Sequence, residues 1–179
     1  VEALFLDSLN NARRHIYIET QYLTSRTIAE CLAARLKDPK GPEIVMVLHP
    51  NSDGWLEQHT MDVLRGRVLE QLHAADRFHR LNLNYPKVPD LRGQCISMHS
   101  KVCVVDDDFV RIGSANLSNR SMGFDTECDL AIQASGNQAI RGSIAAFRHA
   151  LLAEHLGVSP DAVASELEKD GSLIATVER

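Results

Sequence analysis

The residues that could do chemistry lie within one short stretch: His99, Lys101, Asp106, Gly113, Ser114 and Asn116. Side chains alternate along a strand, so His99 and Lys101 share a face, about 6.5 Å apart along the chain. A turn centred on Asp107-Asp108 between two apolar runs predicts an antiparallel hairpin, with Lys101 opposite Ser114 and His99 opposite Asn116. Opposed side chains have Cβ atoms about 5 Å apart. One face would then gather an imidazole, an ammonium, a hydroxyl and a carboxamide. This set suits a phosphoryl group: Lys101, Ser114 and Asn116 donate to non-bridging oxygens, and His99 attacks or carries protons. No metal and no other cofactor is required by such chemistry. Asp106 has the opposite parity and is expected to make hydrogen bonds that hold the turn. Glu127 is the candidate to accept a hydrogen bond from His99 and fix its tautomer. The plain alternative is a surface histidine, a satisfied lysine and a solvated acidic turn. Four useful groups on one face weigh against it. A metal site at Asp106-Asp107-Asp108 is disfavoured, because consecutive turn carboxylates rarely converge.

The elements that must position these groups can be read from periodicity. Residues 2–14 suit a helix, 15–23 a strand, and Thr24 or Ser25 can cap a helix whose apolar stripe is Ile28, Cys31, Leu32 and Leu36. Residues 43–49 form a continuous apolar strand of the doubly buried kind, followed by a helix over 55–75, a strand over 79–85 and a loop over 86–93. Strands are predicted at 100–105, 109–113 and 127–134, and helices at 138–156 and 159–169. Helices interleaved with strands predict an α/β fold, and the hairpin makes the sheet mixed, flanked by helices on both faces as an α-β-α sandwich.

Composition narrows the function. The chain has 179 residues and a net charge of −5, which fits one domain over 1–179, with a core over 1–157 and a helical extension over 158–179. That balance disfavours a strongly basic nucleic-acid module. Four scattered cysteines, Cys31, Cys95, Cys103 and Cys128, are expected as buried free thiols. The longest aliphatic run, Ile44 to Leu48, is far short of the ~20 residues that span a bilayer. No signal peptide is visible, so a cytoplasmic or peripheral-membrane location is expected. Trp55 and Leu56 are candidates for contact with a membrane or acyl chains, against ordinary packing. Glu19, Gln21 and Tyr22 are candidates to line the pocket, Arg120 to assist with phosphate or hold its loop, and His155 for helix packing or capping.

The spacing H-x-K-x(4)-D-x(6)-G-S-x-N, filled at every fixed position by His99, Lys101, Asp106, Gly113, Ser114 and Asn116, resembles the signature of the phospholipase D superfamily. Ile18-Glu19-Thr20-Gln21-Tyr22 and Glu154-His155-Leu156-Gly157 are similar to segments of its lipid-acting branch. The resemblance implies a metal-independent phosphodiesterase that hydrolyses or transfers the phosphatidyl group of phospholipids to water or an alcohol through a phosphohistidine. It also implies catalytic roles for His99, Lys101, Asp106 and Glu127, and phosphate binding by Lys101, Ser114 and Asn116. His99 would then act as general acid and base.

Members of this family bring two such motifs together across one active site. None of the other seven histidines starts a second H-x-K. The second motif would come from a missing N-terminal half, the preferred reading, which leaves this piece inactive alone. Otherwise it comes from a second copy, as in a homodimeric endonuclease acting on nucleic acid. An interaction module that retains only the fold is disfavoured by the intact His-Lys-Asn set.

Overall fold

The computed structural model describes residues 1–49, 55–87 and 96–179, apart from the side chains of 55–60. Helix α1 (Glu2–Asn11) leads into β1 (His15–Thr20), and α2 (Arg26–Lys37) crosses over to β2 (Glu43–Leu48). Helix α3 (Trp55–Ala75) crosses to β3 (Leu81–Asn84). Strands β4 (Val102–Val105) and β5 (Phe109–Gly113) form a hairpin, and a short α4 (Asn119–Gly123) precedes β6 (Asp129–Gln133). Helices α5 (Gln138–Leu156), α6 (Pro160–Asp170) and α7 (Leu173–Glu178) close the chain.

The six strands make one mixed sheet in the order β3-β2-β1-β4-β5-β6. Strands β1, β2 and β3 run parallel, joined by helical crossovers, while β4 returns antiparallel beside β1. Alternation along β1 sends Ile16 and Ile18 into a core shared with α1, α2 and α3. Tyr17 goes to the opposite core, built with α5, α6 and α7. The sheet therefore lies between two helical layers, as the pattern of elements predicts.

Local chemistry explains the boundaries. Ser25 caps α2 by accepting from Ile28 N, Asn137 caps α5, and Gly157 ends α5 in a left-handed conformation with φ 68°. Two elements were not expected as separate helices. The short α4 is capped by Ser118, which accepts from Ser121 N. The N-terminus of α7 is held by Glu43, whose carboxylate accepts from Leu173 N at 2.6 Å and Ile174 N at 3.1 Å. Val163 and Leu173 carry residues 158–179 into the second core. Cys31 and Cys103 are buried thiols, whereas Cys128 is exposed, contrary to expectation, because it precedes the open edge strand β6. Cys95 and the side chains of Trp55 and Leu56 lie outside the described residues. Among the described residues no helix is long and apolar enough to cross a membrane.

The hairpin differs from expectation in register. Val105 pairs with Phe109 and Val102 with Ile112, so the loop has three residues, Asp106, Asp107 and Asp108, in place of a two-residue turn. Asp106 adopts a left-handed φ of 51°. Its carboxylate accepts from Arg13 N at 3.0 Å, Arg14 N at 2.8 Å and His15 N at 2.9 Å. Those three amides belong to the link between α1 and β1, so Asp106 joins that link to the loop. Asp106→Ala would leave three amides without their acceptor and is expected to lower stability by about 2–3 kcal/mol. Urea unfolding measures this, and an unchanged midpoint would contradict the framework role.

Candidate active site

Because β4 runs antiparallel to β1, the residues entering β4 meet the residues leaving β1. Glu19 lies opposite Val102, which brings Lys101 beside the Thr20-Gln21 exit. Open α/β sheets bind ligands at the carboxyl ends of their parallel strands, and this is that end. The expected strand over 100–105 begins only at Val102; His99, Ser100 and Lys101 form the segment that leads into it.

Lys101 is buried, 7% exposed. Its Nζ donates to the His99 carbonyl at 2.7 Å and to Gln21 Oε1 at 3.4 Å. Burial pushes its pKa down, and the negative charge of Glu127 opposes that shift. Among the described residues the ammonium has two neutral hydrogen-bond partners for its three protons, which leaves one donor. His99 is exposed at the surface.

The other strand of the hairpin reaches the same end. Gly113 N donates to the Lys101 carbonyl at 3.2 Å, after which Ser114-Ala115-Asn116 leaves the sheet. The observed register does not place Lys101 opposite Ser114 or His99 opposite Asn116. Continued regularly, it would face Lys101 with Gly113 and turn Ser114 and Asn116 to the other face, since a one-residue slip inverts every side chain. The departure from the strand after Gly113 brings the segment back to the β1 exit. Leu117 N donates to Thr20 Oγ1 at 3.4 Å, and the Leu117 carbonyl accepts from Thr24 N and Ser25 N. Asn116 is half-buried there, and its Oδ1 has no hydrogen-bond partner among the described residues.

Glu127 does not orient His99 as expected. Its Oε2 accepts from Ser114 Oγ at 2.5 Å, and Ser114 Oγ in turn accepts from Cys128 N at 2.9 Å. The Ser114 hydroxyl proton is thus held by Glu127. Asp106 stands at the far end of β4, five residues from Lys101, and the structure does not bring it to the site. Beside it a cavity of about 680 Å³, lined by Arg13, Arg14, Asp106, Asp108 and Arg141 among others, adjoins the framework end of the sheet. Arg120 is committed to Asp125 in an exposed ion pair at 2.8 Å. Among the described residues no group of three or more His, Cys, Asp or Glu could hold a metal ion.

Two residues that support the site went unrecognised. Arg111, 1% exposed, pairs with Asp129 Oδ1 at 2.5 Å and stacks over the Phe5 ring with 4.1 Å to its centroid. Asp129 also lies against Gly113, its partner across β5 and β6. An arginine inside the apolar run Phe109-Val110-Arg111-Ile112, followed by an aspartate in the next strand, was the available signal.

Comparison with known proteins converges on one family. A family model described as "Cardiolipin synthase, PLD-like domain" matches residues 5–149. Phospholipase D alpha 1 of Carica papaya is 37% identical over 84 residues, 44% of this chain and 10% of that protein. The rice (Oryza sativa subsp. japonica) phospholipase D alpha 1 is 36% identical over the same length. This chain therefore spans about a tenth of the length of these relatives. Among solved structures, phosphatidylserine synthase of Haemophilus influenzae Rd KW20 superposes with a TM-score of 0.64 at 17% identity, covering 97% of this chain and 42% of that one. NucT from Helicobacter pylori gives 0.55 at 16% identity, covering 83% and 86%. The phospholipase D family member Nuc from Salmonella typhimurium gives 0.53 at 17%, covering 73% and 74%.

The glycine before Ser114 is under the tightest steric control at the site. A Cβ on Gly113 would overlap the Asp129 carboxylate and come within 2.7 Å of its Cα. Gly113→Ala should displace Asp129, leave Arg111 buried without its partner, and cost about 3–5 kcal/mol. Thermal unfolding reads this directly, and a variant as stable as the parent would show that Asp129 can move freely.

Proposed function

Because this chain belongs to the phospholipase D superfamily, we propose that it supplies one half of a phosphodiesterase that hydrolyses or transfers the phosphatidyl group of phospholipids. The observation that carries this reading is the Lys101 ammonium, buried with only neutral partners and one donor to spare. Glu127 acts on this cation at a distance and is hydrogen-bonded to Ser114, which leaves the remaining donor to a phosphate oxygen. Lys101 and Asn116 bind the non-bridging phosphate oxygens, and Glu127 acts through Ser114, holding the turn and adding its negative field to Lys101. Asp106 serves the framework.

The chemistry needs a second histidine from a second motif. That imidazole attacks phosphorus, the bond from phosphorus to the leaving alcohol breaks, and His99 gives its proton to the departing oxygen. His99 then takes a proton from water or an acceptor alcohol, whose oxygen displaces the phosphohistidine nitrogen. No step requires a metal. The exposure of His99 supports a site completed by another half. A lipid substrate is supported by the 37% identity to a plant phospholipase D.

A homodimeric endonuclease is the second reading. It is favoured by the coverage of NucT and Nuc, of which this chain spans 86% and 74%.

The chain should be assayed alone and joined to its second half, on phosphatidylcholine vesicles and on supercoiled DNA. The joined protein is expected to cleave lipid without loss in EDTA, and the chain alone to cleave neither substrate. His99→Ala should abolish turnover, and Lys101→Ala should lower it about a thousandfold, or about 4 kcal/mol of lost charge stabilisation, with folding intact. Cleavage of DNA by the chain alone, eliminated in His99→Ala, would overturn the lipid reading in favour of the endonuclease.

A further inference from the structure

Glu19 is a carboxylate 3% exposed, on the face of β1 turned toward α5. It accepts from Tyr17 Oη at 2.6 Å and from His155 Nε2 at 3.0 Å. Across the strands Glu19 pairs with Val102, the residue after Lys101, while the Ser100 hydroxyl beside it donates to Met98 Sδ at 2.7 Å. One buried acid therefore binds its own strand and the last turn of α5 from a position that faces the first residue of β4. The phosphodiester chemistry uses none of these contacts. A buried charge is retained where hydrogen bonds compensate it, and here they are made one residue along the ladder from Lys101.

We propose that Glu19 and His155 are positioning residues: their pair clamps the end of α5 to β1 where it faces Val102, and so sets where the preceding His99 and Lys101 stand. This inference rests on the reading of His99 and Lys101 as the reacting and phosphate-binding groups.

The electrostatics agree with a pair that is charged on both sides. Burial pushes the Glu19 pKa up, but His155, Ser100 and Tyr17 together hold it below the usual carboxylate range. His155 is raised by its hydrogen bond to Glu19 against the lowering effect of burial, and the charges of Glu19 and Glu154 raise it further. Tyr17 is pushed well up by burial and by Glu19, so it stays protonated as a donor. Lys87 shares with His155 the lining of a cavity of about 230 Å³, whose other walls include Val47, Tyr85, Leu152 and Leu156. The sign follows from these directions. The contribution of His155 is complete below its unfolded pKa and is lost as pH rises through its raised folded value. That of Glu19 is lost only as pH falls through its lowered one.

The test uses the whole chain, with amide hydrogen exchange, histidine NMR and inorganic phosphate as the probe. Glu19→Gln is expected to lower the His155 midpoint. His155→Ala should speed exchange at the Ser100 and Lys101 amides and weaken phosphate binding, read at the His99 ring, about tenfold. His155→Gln keeps a donor for Glu19 and should restore both, which loss of packing alone would not predict. Unchanged exchange and affinity in His155→Ala, or failure of His155→Gln to restore them, would overturn the proposal. If the parent chain binds no phosphate at Lys101, the functional reading falls by itself, while amide exchange at Ser100 and Lys101 still decides whether the pair positions that segment.

Discussion

One carboxylate that accepts three consecutive main-chain amides sets the register of the hairpin. Asp106 leaves the strand in a left-handed conformation to reach Arg13, Arg14 and His15, and this makes the connection three residues long. Its own amide donates back to the His15 carbonyl at 2.8 Å, closing the link in both directions. Since β4 is hydrogen-bonded to β1 on one side and β5 on the other, fixing this loop fixes which residues arrive at the opposite end. A two-residue turn would have shifted β5 by one position against β4 and placed Lys101 opposite Ser114 in place of Gly113. The position of Lys101 is thus decided about five residues away from it, at the opposite end of the sheet.

The motif divides accordingly. His99, Lys101 and Asn116 are placed at the exit of β1, whereas Asp106 and Gly113 are constraints on backbone path. Gly113 is required because the Asp129 side chain occupies the space a Cβ would need, and Asp129 is there because Arg111 is buried beneath it. Ser114 stands between the two groups. Its hydroxyl ties Glu127 and Cys128 to the turn, which keeps a negative charge near Lys101 without spending the last ammonium donor.

Much of this was legible in the sequence, and the exceptions have physical reasons. The approximate bounds expected for α3 and α5 agree with those observed, and for α5 the cap Asn137 and the left-handed Gly157 set both ends. The turn role of Asp106 followed from parity alone. The register did not, since a left-handed aspartate is selected by amides more than ninety residues away. Helix α7 was foreseen only as part of a helical extension over 158–179: six residues do not sustain a helix unaided, and beside its own cap Ser172 it needs Glu43, an acceptor from a distant strand. The partner of Glu127 was misassigned because Ser114 and Asn116 were assumed to continue the strand. Glu19 and His155 were each noted, yet 136 residues separate them, and neither carries a signal that it binds the other.

Helix α5 connects the two ends of the sheet. Arg148, 1% exposed, donates to the Asp106 carbonyl at 2.9 Å and pairs with Asp107 at 2.8 Å, so it grips the hairpin loop. His155 lies two helical turns further, about 10 Å along the axis and on the same side of the helix, where it meets Glu19 at the β1 exit. Strand β4 covers about 16 Å between Asp106 and Lys101, so a single rigid helix lies along most of that distance. Burial pushes the Arg148 pKa down and the charges of Asp107 and Asp106 oppose that shift, so losing Asp107 would leave a buried cation without its ion-pair partner. A helix fastened by an ion pair at the framework end and another at the chemical end keeps strand register and site geometry from varying independently. This coupling gives a physical reason for buried charge at both places, where apolar packing would hold the helix down but would not fix its position along the strands.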